Sequence, residues 1–307
     1  MKFDQINKIF IVSSGRTGTK FLGENLQKIV HNSLSVHEPD KVELTKKHRA
    51  ELINKFKKIG IIELIINKAL GISGTRNLSL RRINNEIEFG DIIKKIRKPR
   101  NVLLGDSYYR YYFEANWQLF GLLDDLFNFQ NSKIIIFFRD PRTWVQSWMN
   151  KGYWYDDKDL LTKIDMLGFK RVTPKNVGID NPEWKQYTRF QKLCWVWNYM
   201  NGLFYEAMGK DKKNIKAFYF EDIFVKKNKT KVREFLQFSL NEQYRENYTI
   251  ELLDMLDHKV NQTKTNDFPH WQYWNDEYAK EMEYFCGDLM LNLGYGEELG
   301  WQRKIKK

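Results

Sequence analysis

The sequence predicts an α/β protein with a central parallel β-sheet flanked by helices. Short apolar runs rich in β-branched or aromatic residues, at residues 8–14, 133–138 and 215–220, are typical of strands buried on both faces of a sheet. Helix-length stretches separate these runs, and strands that alternate with helices form parallel sheets with right-handed crossovers. Ligands of such sheets bind at the carboxyl ends of the strands, so we expect the functional residues there.

Composition narrows the class of protein. The chain has 307 residues, of which 42% are hydrophobic, and this excludes a disordered protein. Its net charge of +12 favours anionic partners, although charge alone does not choose between nucleic acid, a membrane surface and a small acidic molecule. No apolar run reaches the length of a membrane span, and two cysteines are too few for a disulfide framework. We therefore expect a cytoplasmic protein with no membrane span.

Two long segments interrupt the regular alternation of strands and helices. Residues 41–100 are rich in charged, helix-forming residues and are too long for a plain crossover, so they predict a helical insertion or lid. Residues 152–181 are rich in Asp, Lys and Gly and predict a loop region over the site. We expect both segments to belong to a single domain of residues 1–307.

The region after the insertion is predicted to contain the third strand. We expect this strand at residues 101–104, with residues 105–113 leaving its carboxyl end and a helix following at residues 114–129. A further strand is predicted at residues 33–40. Helices are predicted at residues 21–30, 143–149, 183–208, 231–238 and 276–293.

A glycine turn joins the first predicted strand to the first helix. The sequence GRTGTK at residues 15–20 lets the backbone approach an anion closely and turn successive N–H groups inward. The following helix adds unpaired N–H donors and the positive end of its dipole, and Arg16 and Lys20 add formal charge. The turn predicts an anion-binding site, and a tight connection that binds no ligand is the alternative.

The turn departs from the Walker A pattern G-x-x-x-x-G-K-[ST], because Thr19 follows Gly18 and Phe21 follows the lysine. The sequence SGRTGTxFL instead resembles the 5′-phosphosulfate loop of sulfotransferases that use 3′-phosphoadenosine-5′-phosphosulfate (PAPS). The resemblance implies a three-layer P-loop-like fold, a PAPS-dependent activity and no metal. It also implies cofactor contacts from Gly15, Arg16, Thr17, Gly18, Thr19, Lys20 and Phe21. For Phe21, packing into the core is the alternative interpretation.

A second motif follows the strand predicted at residues 133–138. Arg139 ends this strand, and Ser147 lies eight residues later, about two turns into the helix that Pro141 begins. A guanidinium and a hydroxyl so placed can reach one phosphate. The sequence RDPRTWVQS resembles the 3′-phosphate motif of the same sulfotransferases, which implies that Arg139 and Ser147 bind the 3′-phosphate of PAPS.

Three shorter segments are similar to the same family. FEDI at residues 220–223 is similar to a Tyr-Glu-Asp segment, and Phe220, which replaces the tyrosine, is a candidate cofactor contact. LNLGYG at residues 291–296 looks like the family's C-terminal ending. Glu38 follows a predicted strand, where glycan and tyrosylprotein sulfotransferases carry their catalytic glutamate. The resemblance covers most of the chain and leaves residues 41–100 and 151–181 without a counterpart.

These motifs assign candidate catalytic residues. Glu38 is the first candidate for the base that accepts the proton of the acceptor hydroxyl, and His37 is the second because imidazole titrates near neutral pH. Neighbours on a strand face opposite ways, so we expect one of the two to point into the site. Arg16 is a fixed charge and is assigned to electrostatic stabilisation of the leaving group. Lys20 is expected either to help the sulfate or to point to solvent.

Candidate substrate contacts come from the segment after the predicted third strand. Asp106, Ser107 and Tyr108 are placed there, with Asp106 as the third candidate base and a polar turn as the alternative. Aromatic faces with polar tips suit a sugar ring, a phenol or a packed core, and we favour a carbohydrate among small-molecule and glycan acceptors. Such residues form two clusters, at Tyr108, Tyr109, Tyr111, Tyr112 and Trp117, and at Trp148, Tyr153, Trp154 and Tyr155.

Two other functions are alternatives to a sulfotransferase. In a P-loop nucleoside or small-molecule kinase, residues 102–106 would end in Asp106 as a ligand of Mg²⁺, but the Walker A pattern is broken. A non-catalytic nucleic-acid-binding protein would use the basic surface and the aromatic residues, but the basic residues form no single stripe. We therefore expect no nucleic-acid partner.

Overall fold

The computed structural model describes residues 2–40, 60, 62–152, 154–156, 158–159, 170–211, 213–257 and 267–306. The first part of the predicted insertion, residues 41–59, lies outside the described residues. The predicted fold class is confirmed, because the structure is an α/β arrangement in which helices flank a five-stranded, all-parallel sheet.

The strands are β1 (Asn7–Ser13), β2 (Ser33–His37), β3 (Tyr111–Ala115), β4 (Ser132–Phe138) and β5 (Ile215–Tyr219). They are arranged in the order β2-β3-β1-β4-β5, so β1 lies at the centre between β3 and β4. The chain builds one side of β1 through β2 and β3 and then crosses to the other side for β4. Such a switch point opens a crevice at the carboxyl ends of the strands.

The described helices are α1 (Lys2–Gln5), α2 (Thr19–Ile29), α3 (Asn67–Ala69), α4 (Thr75–Ile83), α5 (Phe89–Leu104), α6 (Leu123–Leu126), α7 (Pro141–Met149), α8 (Arg189–Lys210), α9 (Lys229–Leu240), α10 (Glu246–Asp257), α11 (Asp276–Asn292) and α12 (Leu299–Ile305). These helices form two layers, one on each face of the sheet. Successive side chains of β1 point into the two layers in turn. Ile9 and Ile11 face the layer of α2, α9 and α10, whereas Phe10 and Val12 face the layer that contains α5, α7, α8 and α11.

The prediction of the third strand is wrong. Residues 101–104 form the last turn of α5, and the buried residues Ile96, Arg100 and Leu104 recur every four positions along that helix. The third strand is Tyr111–Ala115, where we expected a chain leaving a strand and then a helix. A short apolar run suits a strand or the end of a buried helix equally well, and the spacing over the longer segment decides between them.

A buried ion pair connects the insertion to the sheet. Arg100 of α5 donates through Nη2 to Oε1 of Glu114 on β3 at 2.5 Å, and both side chains are almost fully buried. Tyr112 and Asn116 donate to the same carboxylate at 2.8 and 2.9 Å. Buried charges are tolerated when their partners satisfy them in this way, so the network fixes α5 against β3.

Close packing of α2 against β2 positions the end of that strand. A Cβ built on Gly23 would lie 2.7 Å from Cβ of His37 and 2.8 Å from the carbonyl oxygen of Val36. Only glycine permits this approach. Ser35 adds a hydrogen bond from its hydroxyl to the carbonyl of Gly23 at 3.0 Å.

We predict that Gly23→Ala lowers the free energy of unfolding by about 1–3 kcal/mol, because the added methyl group meets backbone that cannot move away freely. Gly202→Ala is the matched control, since Gly202 lies within α8 and an added Cβ there meets nothing within 4 Å. The control should gain about 0.5–1 kcal/mol from helix propensity. Urea denaturation of both variants measures the difference, and equal effects would contradict the close approach.

Candidate functional site

The turn after β1 adopts the backbone conformation that an anion-binding turn requires. The angle φ is 83° at Gly15, 57° at Arg16 and 76° at Gly18. Turns of this kind direct successive N–H groups toward one concave side. A Cβ on Gly18 would lie 2.3 Å from the ring of Phe224, so this position also requires glycine.

Polar groups in and beside the turn fit a bound phosphate. Among the described residues, the buried hydroxyls of Ser14 and Thr17 have no hydrogen-bond partner. Gly18 stands at the N-terminal cap of α2 and offers no side chain to the first N–H groups of that helix. Unpaired buried donors are costly, and an anion that accepts from them satisfies the helix end and the hydroxyls together.

The two motifs meet in space. The guanidinium of Arg16 donates through Nε to the hydroxyl of Ser147 on α7 at 2.9 Å. Arg139, at the end of β4, donates to the backbone carbonyl of Arg16 and to both the hydroxyl and the carbonyl of Thr143, the latter two at 3.1 Å. The strand-end arginine, the helix serine and the turn after β1 therefore form one site at the β1–β4 crevice.

Burial gives this site an electrostatic preference for anions. Desolvation lowers the pKa of Arg16, and it lowers the pKa of Arg139 to about 10. The charge of Glu221 acts in the opposite direction on Arg139, whereas the neighbouring charge of Arg16 lowers its pKa further. Two half-buried guanidinium groups that repel each other are both stabilised by negative charge bound beside them.

The segment that follows β5 supports Arg139. The guanidinium carbon of Arg139 lies 4.4 Å from the centre of the Phe220 ring, a distance typical of a cation–π contact. Glu221 accepts hydrogen bonds from the backbone N–H of Asp140 at 3.1 Å and from the hydroxyl of Tyr295 at 2.8 Å. The FEDI and LNLGYG segments are thus in direct contact behind the site.

His37 and Glu38 lie together at the end of β2, contrary to the expectation that they face opposite ways. Glu38 has a φ of 44°, so the alternation of the strand ends at His37. Nε2 of His37 lies 3.4 Å from Oε1 of Glu38, and Nδ1 lies 2.9 Å from the carbonyl oxygen of Ala115. A carbonyl only accepts, so Nδ1 carries a proton and Nε2 faces the carboxylate.

Two residues of the predicted cofactor site have other contacts. Lys20 is half-exposed and forms an ion pair with Glu24 one turn along α2, with Nζ and Oε1 3.6 Å apart. Phe21 is buried and packs edge-to-face against Phe224 at 6.1 Å. Phe21 thus packs in the core, and Lys20 pairs along its own helix.

The position predicted for Asp106, Ser107 and Tyr108 is wrong. These residues precede β3 rather than following a strand, so they lie at the amino-terminal edge of the sheet, opposite the crevice. Asp106 is fully exposed and pairs with Lys2, with Nζ and Oδ1 3.4 Å apart. They cannot act together with Glu38 or with the turn after β1.

Several tryptophan side chains pack against the turn after β1. A Cβ on Gly15 would lie 3.7 Å from Trp148 and 3.8 Å from Trp117, and Trp154 stacks on Trp148 with ring centres 4.7 Å apart. The sequence prediction placed these three rings beside the cleft but missed Trp144, whose Nε1 donates to the carbonyl of Gly15 at 2.8 Å. Its position three residues before Ser147 on α7 was the available signal.

The tyrosines of the same clusters have structural contacts. Tyr111 donates to the carbonyl of Leu240 at 3.1 Å, and Tyr155 donates to the carbonyl of Val172 at 3.0 Å. Tyr108 is 86% exposed at the far edge of the sheet. Tyr153 lies outside the described residues.

A search against protein-family models finds no match to this chain, and a search of curated proteins finds none either. Over the described ranges, none of the helices combines the length and the apolar character that a membrane crossing needs. The geometry of the crevice is therefore the basis for a functional proposal.

We predict that pyrophosphate stabilises the protein against heat. At about 10 mM and constant ionic strength, binding to the folded state should raise Tm by roughly 2 °C, and Arg16→Gln should remove this rise. Arg81→Gln is the control, because Arg81 lies on α4 and donates to the carbonyl of Glu86, away from the turn. An undiminished rise in Arg16→Gln, measured by scanning fluorimetry, would contradict an anion site at this turn.

Proposed function

We propose that the protein is a sulfotransferase that transfers a sulfuryl group from PAPS to an acceptor hydroxyl, on a carbohydrate or another small molecule. One observation supports this proposal most directly. Arg16, Ser147 and Arg139, taken from two motifs far apart in the sequence, form one hydrogen-bonded group at the carboxyl ends of β1 and β4. A bisphosphorylated nucleotide needs two basic phosphate sites at such a crevice, and in this proposal Arg16 would serve one phosphate while Arg139 and Ser147 would serve the other.

The residues present fit PAPS. The turn at residues 15–20 and the first turn of α2 would hold the 5′-phosphosulfate, with the hydroxyls of Ser14 and Thr17 as donors. Arg139 and Ser147 would hold the 3′-phosphate, and Phe220 would keep the guanidinium of Arg139 oriented. When bound, PAPS supplies the activated sulfuryl group.

Glu38 and His37 are the proposed proton acceptor and its partner. The carboxylate of Glu38 would accept the proton of the acceptor hydroxyl as that oxygen bonds to sulfur and the bond from sulfur to the phosphate oxygen breaks. His37, fixed by the carbonyl of Ala115, faces this carboxylate and, as an imidazolium ion with a proton on Nε2 as well, would stabilise its charge. Arg16 would stabilise the charge that develops on the leaving phosphate.

The same geometry disfavours the kinase alternative. That alternative needs an acidic residue near the turn after β1 to hold Mg²⁺, and Asp106 lies at the opposite edge of the sheet. Residues 102–104, proposed as its strand, belong to α5.

We predict that adenosine 3′,5′-bisphosphate binds at least about tenfold more tightly than adenosine 5′-phosphate without added metal, because the 3′-phosphate gains charge-assisted hydrogen bonds. Ser147→Ala should reduce this preference several-fold. Ser107→Ala is the matched control, since Ser107 is exposed at the far edge. Calorimetric titration measures each affinity, and tighter binding of ATP with Mg²⁺ would replace the sulfotransferase proposal with a kinase.

We predict that Glu38→Gln abolishes sulfuryl transfer from radiolabelled PAPS while the affinity for adenosine 3′,5′-bisphosphate stays within about threefold, because the amide cannot accept the proton but occupies the same volume. Asp106→Asn is the control and should leave transfer unchanged, since Asp106 is exposed and remote. Turnover by Glu38→Gln at the wild-type rate would exclude Glu38 as the base.

A further inference from the structure

Arg76 is a buried guanidinium at the start of α4, inside the helical insertion. The residue is 9% exposed, and its Nε has no hydrogen-bond partner within the described residues. The preceding residue fixes its position, because the N–H of Thr75 donates to Oδ2 of Asp40 and the side chain of Asn116 donates to the hydroxyl of Thr75. Asp40 and Asn116 follow β2 and β3, so Arg76 lies at the same edge of the sheet as the candidate site.

Arg171 reaches this edge from the long segment that follows α7. It is 7% exposed and donates to the carboxylate of Asp159 at 3.2 and 3.3 Å. Its guanidinium carbon lies 3.8 Å from the centre of the Trp154 ring. Because Trp154 stacks on Trp148, and Trp148 lies beside Gly15, two indole rings connect Arg171 to the anion-binding turn.

Arg171 and Glu38 both act electrostatically on Arg76. Burial is the largest cause that lowers the pKa of Arg76 to about 10, and the positive charge of Arg171 acts in the same direction. The negative charge of Glu38 acts in the opposite direction. The proposed base and a buried arginine with an unpaired Nε donor thus lie at the same edge of the sheet, within electrostatic range of each other.

We propose that Arg76 and Arg171 bind an anionic group of the acceptor, a carboxylate or a sulfate, close to the hydroxyl that Glu38 deprotonates. The inference rests on the proposed function and specifies its acceptor class as acidic carbohydrates. Planar guanidinium groups suit both anions, because their N–H donors match the two oxygens of a carboxylate or of a sulfate. This proposal also gives a function to residues 41–100 and 151–181, the two segments that have no counterpart in the sulfotransferase resemblance.

The test uses two tetrasaccharides and the complex of the protein with adenosine 3′,5′-bisphosphate. One tetrasaccharide alternates glucuronic acid with N-acetylglucosamine, and the other is its carboxyl-reduced form, in which glucose replaces each glucuronic acid. We expect calorimetry at constant ionic strength to show at least about tenfold tighter binding of the acidic form. Arg76→Gln should remove this preference, Arg76→Lys should keep part of it, and Arg81→Gln should leave it unchanged.

Several results of this calorimetric test would contradict the inference. Equal binding of the two tetrasaccharides, binding of neither, or a preference that persists in Arg76→Gln would overturn it. If Arg76 serves only as a counter-ion of Glu38, Arg76→Gln lowers transfer to both tetrasaccharides by the same factor. Failure of adenosine 3′,5′-bisphosphate to bind the wild-type protein would instead overturn the proposed function, so the two failures are distinguishable.

Discussion

The juxtaposition of two half-buried arginines at the central crevice, joined through the backbone carbonyl of Arg16, is the constraint on which the rest of the site depends. Arg16 and Arg139 are brought together although each loses hydration and each disfavours the charge of the other. The protein holds them with directed contacts, from the carbonyl of Arg16, the hydroxyl of Ser147 and the ring of Phe220. Such an arrangement is costly for stability alone, and the proposed binding of phosphate groups beside the two arginines would account for it.

The topology of the sheet explains how distant segments reach this crevice. Because β1 is central and all five strands are parallel, the residues after each strand emerge at one edge. The turn after β1 and Arg139 after β4 are adjacent, and His37 and Glu38 lie two strands from β1, about 10 Å away at ordinary strand spacing. In the proposed reaction, that separation would leave room for a sulfuryl group and an acceptor hydroxyl between the phosphate site and Glu38.

Local signals were enough to predict most of this framework. Four of the five strands, the turn at residues 15–20 and the helix that carries Ser147 after Arg139 follow from apolar runs, glycines and spacing that lie within short segments. Residues 101–104 were assigned to a strand because their helical periodicity extends over the whole of α5 rather than the segment itself. That error moved Asp106 and its neighbours to the wrong edge of the sheet.

Other features depend on tertiary contacts and have no local signal. Glu38 turns toward His37 because its backbone is left-handed, and Gly23 permits that strand end to lie against α2. Arg76 and Arg171 are separated by 95 residues (171 − 76), yet each is held at the same edge of the sheet. No pattern within either segment predicts that neighbourhood.

The most direct test of the central claim is a crystal structure of the protein with adenosine 3′,5′-bisphosphate. We expect the 5′-phosphate to accept hydrogen bonds from the N–H groups of residues 17–20, and the 3′-phosphate to contact the guanidinium of Arg139 and the hydroxyl of Ser147. A nucleotide bound elsewhere, or bound with its 3′-phosphate in solvent, would contradict a PAPS site at this crevice.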